Sequence, residues 1–264
     1  MNYPGRIIRK GEQDAKIVRA IKEQLNILLC SAGDVSLRLD PDNPSFGDKV
    51  VQTIKLFQAR HVDGEGRPLK QDGQVGSLTW AALFGTGSVV VSDTSADGYL
   101  AAVLSTASVE EQKKVREVPV NSNRGPEVEA YLQRAGVPAG NSWCCAFVYW
   151  CFDEAAKSGG RPNPMVKTAG CLDHWNRAMA AGTALVGSKE AVNSPDLVRP
   201  GMVFIMDHGA GKGHTGLVER VDGGLITTIE GNTDASKTRE GGGVYRLNRK
   251  IVEVNKGFID YSGA

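Results

Sequence analysis

Trp143-Cys144-Cys145-Ala146-Phe147-Val148 puts two thiols where the flanking residues read as a helix start. Ser142 is an N-cap residue type, which sets Cys144 in the first turn. First-turn N–H groups lack an intrahelical acceptor, and the macrodipole is positive there. A thiol so placed is expected to lose its proton more readily than a free cysteine. The same N–H groups suit the oxyanion formed when a carbonyl is attacked. On spacing alone another reading stands beside this one: Cys144 packed as a small apolar residue under Trp143 and Phe147.

A thiol nucleophile needs a base, and the chain has four histidines. His61 follows a helix and reads as a surface residue, and His174 lies in a helix beside Trp175 and reads as a surface or core-packing residue. His208 falls in the loop Asp207-His208-Gly209-Ala210-Gly211. His214 opens the strand Gly213-His214-Thr215-Gly216-Leu217-Val218, whose glycines let another side chain or a substrate come close. It is the preferred candidate, with His208 second.

Strand 214–221 turns at Asp222-Gly223-Gly224 into strand 225–230, a hairpin signal. A turn centred on Gly223 puts His214 opposite Asn232 and diagonal to Glu230, with 230 and 232 on one face. A slip of one residue would separate them. A thiol and an imidazole, the latter oriented by a carboxylate or amide, is the arrangement of cysteine-dependent acyl transfer. The competing reading of Glu230-Gly231-Asn232 is a solvated loop.

The elements that would position these residues fall into two groups. Ile17, Ile21, Leu25 and Leu28 over 14–30, and Val50, Ile54 and Phe57 over 48–60, recur at helical spacing. A third helix is expected after Ser77, burying Trp80 and Leu83, behind the turn Asp72-Gly73-Gln74-Val75-Gly76. This predicts a three-helix domain over 10–86. Residues 87–118 read as a linker with short helices, one opened by a capping-box pattern at Ser108 to Glu111. Helices are then expected from Pro126 to about Ala135, from about Trp143 to Lys157 and from about Gly170 to Ala181. Strands follow at 202–206, 214–221, 225–230, 243–248 and 251–260. Helices before antiparallel strands predict an α+β domain over 119–264.

Composition narrows the partners. Of 264 residues 41% are hydrophobic and 23% charged, and the net charge is +1, so no basic field points to nucleic acid. Met1 to Asp14 lack the apolar run of a secretory signal, and no stretch is long enough to span a membrane. Synthesis in the cytoplasm is the expectation. Five cysteines, Cys30, Cys144, Cys145, Cys151 and Cys171, form no CxxC pair, which argues against a disulfide framework or a structural zinc site. No cofactor is expected.

The second part of the chain resembles the CHAP family, the cysteine, histidine-dependent amidohydrolases/peptidases. The resemblance rests on Asn123-Arg124-Gly125-Pro126, Tyr131-Leu132, Trp143-Cys144-Cys145-Ala146-Phe147-Val148, Pro200-Gly201, Gly213-His214-Thr215-Gly216-Leu217-Val218 and Glu230-Gly231-Asn232-Thr233. It implies a papain-like fold with an antiparallel sheet. It assigns the nucleophile to Cys144, with Cys145 where the family usually has Ala, and the base to His214. Glu230 and Asn232 fall at the orienting positions, with Glu230 favoured. Met202 stands where the family often has an acidic residue, and the acidic calcium loop of some relatives is missing, so no metal is expected.

Residues 14–85 resemble the small three-helix peptidoglycan-binding domain, through Phe46-Gly47, Phe57-Gln58, Asp72-Gly73-Gln74-Val75-Gly76 and Thr79-Trp80-Ala81-Ala82-Leu83, with a longer insertion around Arg38 to Pro44. The two resemblances together imply a monomeric peptidoglycan hydrolase cutting an amide bond, at the muramoyl–alanine link or in the stem peptide or cross-link. Such an enzyme would act at the cell wall, in the periplasm or outside the cell. A holin-released phage endolysin and a secretion-system effector with an immunity protein are both compatible settings. Acyl transfer to an amine at the same site, and a non-catalytic wall-binding protein, are the competing functions.

Overall fold

The structure is a computed structural model and describes residues 1–30, 35–238 and 241–264. The chain divides into two compact units, one of residues 1–90 with 192–196, the other of residues 91–191 with 197–264.

The first unit holds three helices, α1 (Ala15–Cys30), α2 (Asp48–Arg60) and α3 (Ser77–Phe84). Asp14 starts α1 by accepting hydrogen bonds from the Lys16 and Ile17 amides at 3.0 and 3.2 Å. Ile17, Ile21 and Leu25 share a core with Ile54, Phe57 and Trp80, while Leu28 falls off the stripe and is exposed. Gln58 is buried and ties α2 to the turn before α3: its amide donates to Gln74 O at 2.8 Å and accepts from Gly73 N at 2.9 Å. Gly73 has φ +73°, and a Cβ there would lie 2.6 Å from Val51, so the turn needs glycine for both conformation and room.

The second unit is α+β. Its helices α4 (Gly98–Gln112), α5 (Pro126–Ala135), α6 (Cys144–Ser158) and α7 (Cys171–Ala180) are followed by the short α8 (Ser188–Asn193), which runs into the first unit. The strands are β1 (Val91–Ser92), β2 (Ala184–Gly187), β3 (Val203–Gly209), β4 (Lys212–Asp222), β5 (Leu225–Thr233), β6 (Gly243–Lys250) and β7 (Gly257–Asp260). They form one antiparallel sheet in the order β2-β7-β3-β4-β5-β6, with β1 paired to the far end of β4. Helix α6 packs against β4 and β5 and is flanked by α4 and α5. Phe147 and Phe152 of α6 join Val203, Leu217 and Ile229 of the sheet in one core.

The β4–β5 hairpin sets the register that matters. Its tip pairs Asp222 with Leu225, leaving a two-residue Gly223-Gly224 turn rather than one centred on Gly223. A bulge between Val218 and Arg220 then shifts the ladder, so that Val218 pairs with Thr228 and Leu217 with Ile229. The ladder ends at Leu217 and Ile229, and beyond it the His214 side chain reaches Glu230.

Several elements depart from the sequence expectations, among them β1 and α8, which had no counterpart there. Helix α4 begins at Gly98, capped by Asp97, which accepts from the Tyr99 and Leu100 amides at 2.9 and 3.0 Å. Its core face is Tyr99, Leu100, Val103, Leu104 and Ala107, so the Ser108 to Glu111 pattern lies inside the helix instead of starting one. Expected strand 251–260 is a 3-10 turn over Ile251–Glu253 followed by β7. Strand β2, paired to β7, had only four residues to announce it. No helix among the described residues is long and apolar enough to cross a membrane.

Candidate active site

The N-cap of α6 is Trp143, not Ser142, and the Trp143 side chain makes no capping hydrogen bond to the helix. Trp143 is held from behind. Its indole N–H donates to Glu117 Oε1 at 2.8 Å, and its ring packs on Tyr131. Cys144 is therefore the first residue of the helix, and it is 3% exposed. Its sulfur lies 3.4 Å from that of Cys171, the first residue of α7.

His214 on β4 and Glu230 on β5 meet, with His214 Nε2 2.7 Å from Glu230 Oε2. Both are buried. Behind Glu230 stands Arg249 of β6, in a two-pronged pair: Nε to Oε1 at 2.6 Å and Nη2 to Oε2 at 2.7 Å. Thr228 donates its hydroxyl to the same carboxylate, whose acceptor capacity is thus well used. Asn232 lies on the same strand as Glu230 but makes no hydrogen bond to His214. It adopts φ +56°, and both polar atoms of its buried amide are without a hydrogen-bond partner. Of Glu230 and Asn232, it is Glu230 that contacts the imidazole.

Glycines make the approach possible. A Cβ at Gly216 would fall 2.6 Å from Glu230 Cγ, and one at Gly213 would fall 2.9 Å from Cys171 Cβ. A Cβ at Gly231 would fall 2.7 Å from Trp143 and 2.8 Å from Phe147, so this glycine lets α6 lie directly on β5. The Glu230-Gly231-Asn232 segment is buried strand, not the solvated loop of the competing reading.

The charges follow from this packing. Burial raises the Glu230 pKa, but the hydrogen bonds from Arg249 and His214 outweigh it and hold the carboxyl down at about 2. Burial lowers the pKa of His214, yet its interactions with Cys144 and Glu230 carry it up to about 9. Cys144 departs from expectation. Its hydrogen bond with Cys171 and its burial push the thiol well above the usual range, and His214 pulls it back only in part. The helix start alone was a sound argument for a lowered pKa; the neighbouring sulfur and the desolvation reverse its sign.

The rival thiol has different surroundings. Cys145 donates to Thr168 O at 3.6 Å and lies 4.0 Å from His174 Nδ1, while His174 Nε2 is 2.8 Å from the Tyr261 hydroxyl. Cys145 and His174 are both fully enclosed. Burial drives the His174 pKa down to about 4, so its ring is neutral and packs in the core. His61 is stacked on Phe57, and His208 is exposed at the end of β3.

Arg249 and Cys171 were missed as site neighbours. Arg249 had a legible signal: with Leu247 it lies on the inward face of a strand, where a charge requires a partner. Cys171 had none, since its position depends on how two helix starts converge. Among the described residues, no group of three or more His, Cys, Asp or Glu side chains is placed to hold a metal ion.

Residues 136–232 match the family model of the CHAP domain, a stretch that includes Cys144, Cys171, His214, Glu230 and Asn232 and stops short of Arg249. The match supports a CHAP-domain protein and suggests peptidoglycan amidase or peptidase activity in general terms. No curated protein and no solved structure matches the chain.

Proposed function

We propose that the chain is a cysteine-dependent peptidoglycan hydrolase that cleaves an amide bond through Cys144, His214 and Glu230. The observation that carries this reading is the buried series His214–Glu230–Arg249, next to a thiol at the first residue of a helix. Cys144 passes its proton to His214 and attacks the amide carbonyl as the thiolate. The tetrahedral oxyanion is met by N–H groups of the first turn of α6. His214, held protonated by the Glu230 carboxylate, gives its proton to the departing amine, and the acyl group stays on sulfur. The neutral imidazole then takes a proton from water, which attacks the thioester and frees the acid. Glu230 fixes which nitrogen of His214 faces away from the thiol, and Arg249 keeps Glu230 ionised. Asn232, with an unengaged buried amide, is the further polar group of the site.

The first unit is read as the peptidoglycan-binding part. Tethering there raises the local concentration of scissile bonds at the second unit. Action at the cell wall follows from that substrate.

The test uses purified sacculi and mass spectrometry of the released muropeptides. Wild-type protein is expected to release fragments bearing a new amine and a new carboxylate at one bond type. Cys144→Ala is expected to lose this release while still co-sedimenting with sacculi. Full release by Cys144→Ala would overturn the nucleophile. Release with no new amine, or no co-sedimentation by either protein, would overturn the bond class or the binding role respectively.

A further inference from the structure

We infer that Cys171 is a resolving cysteine for Cys144, making the pair a reversible oxidation site that closes the candidate nucleophile as a disulfide. That the closed thiol is the nucleophile rests on the hydrolase reading; the disulfide itself does not.

Three observations point the same way. The sulfurs of Cys144 and Cys171 are 3.4 Å apart in a thiol–thiol hydrogen bond. A disulfide bond is about 2.05 Å long, so closure asks the 3.4 Å pair to approach by roughly 1.4 Å, within reach of side-chain rotation. Each cysteine is the first residue of its helix, α6 or α7, and neither N-cap residue, Trp143 or Gly170, makes a side-chain capping hydrogen bond. Two helix starts therefore converge on the pair, which offsets part of the cost that burial puts on either thiolate. Finally, the nearest side of Cys171 is lined by Gly213, where a Cβ would press on it at 2.9 Å. The strand bearing His214 is cut away to admit this second thiol. Cys151, on the same helix as Cys144, is a buried free cysteine and serves as an internal control.

The oxidant is a peroxide. The Cys144 thiolate attacks one oxygen of hydrogen peroxide, the O–O bond breaks, and a sulfenic acid forms as hydroxide leaves and is protonated to water. The Cys171 thiolate then attacks the Cys144 sulfur. The S–O bond breaks, the S–S bond forms, and the second oxygen leaves as water with the proton from Cys171. Two electrons pass from the two thiols to the peroxide. An external dithiol reverses the step by exchange. Without Cys171 the sulfenic acid loses the thiol in hydrogen-bond contact with it and is open to irreversible sulfinic acid.

The experiment treats the full chain with hydrogen peroxide, alkylates the remaining thiols and maps tryptic peptides by mass spectrometry. Cleavage after Arg134, Lys157, Lys167 and Arg177 separates the two cysteines into different peptides. The expected product is a link between 135–157 and 168–177, lighter by two hydrogens, with fragmentation placing it on Cys144. Lytic activity is lost with the link and returns with dithiothreitol. In Cys145→Ala the link persists. In Cys171→Ala, or Cys171→Ser if the first does not fold, Cys144 goes on to sulfinic acid and dithiothreitol no longer restores activity. Sulfinic acid on Cys144 in the wild type without the link, or a link to Cys145 or Cys151 instead, would overturn the inference. A chain that forms the link but never lyses sacculi when reduced keeps this inference and sinks the hydrolase reading; lysis without the link does the reverse.

Discussion

At the scale of single residues, the site depends on Glu230 being charged where water cannot reach it. Arg249 is what makes that tolerable, and it leaves a clear expectation for substitution. Glu230→Gln removes the countercharge and strands a buried guanidinium, which costs about 3–5 kcal/mol of stability. It also releases His214 from the interaction that raises its pKa. Lysis is expected to fall by roughly 10²-fold or more, and the pH dependence of Cys144 alkylation to move with it. An alkylation profile unchanged from wild type would show that Glu230 does not act through His214. The chemistry-bearing types at Cys144, His214 and Glu230 were readable from the sequence because each sits beside a helix start, a glycine-flanked strand or a hairpin mate. The proton affinity of Cys144 was not, because it is set by Cys171, twenty-seven positions away on another helix.

At the scale of elements, α6 and the β4–β5 hairpin are fitted to each other through missing side chains. Gly231→Ala would drive a methyl group into Trp143 and Phe147 at 2.7 and 2.8 Å. Overpacking of this kind costs about 1–3 kcal/mol, and here it would push the start of α6 off β5. The expected result is a lower urea midpoint together with a fall in kcat; a loss of stability with full kcat would mean the helix start tolerates displacement. The helices α5, α6 and α7 were legible from apolar spacing, the Pro126 start and the Gly136 stop. Strand β2 and the true start of α4 were not, since a four-residue strand carries too little pattern and the glycine at 98 hides the Asp97 cap. The hairpin offers a subtler lesson. The expected level of His214 and Asn232 assumed an odd-length turn. The molecule uses an even one and shifts the ladder with one extra residue in β4, so that Leu217 pairs with Ile229 and the His214 side chain reaches Glu230. Without that bulge the two-residue turn would pair Leu217 with Glu230, and Glu230 would face the other way.

At the scale of the whole molecule, stability should carry the signature of the buried charges. Glu230 is held at about 2, below the 4.5 of a free carboxyl, so its contribution is present above about pH 4.5 and is lost as the pH falls through 2. His214 is held at about 9, above the free value of 6.5, so its contribution is present below about pH 6.5 and is lost as the pH rises through 9. The second unit is expected to be most resistant to urea between those limits, followed through Trp143, Trp150 and Trp175, which all lie in it. A midpoint that climbs from pH 6.5 to 9 would contradict the assignment of His214. The order of the sheet carries one more consequence. Strands β3, β4 and β5 lie inside the sheet, and the backbone of His214 pairs with Met206 of β3 and that of Glu230 with Tyr245 of β6. Peptide amides there belong to the last part of the unit to open to solvent exchange. His214 and Glu230 are thus mounted on paired strands, whereas Cys144 and Cys171 stand on helix ends, where the backbone frays first. Any give needed to admit a substrate must come from the sulfur side.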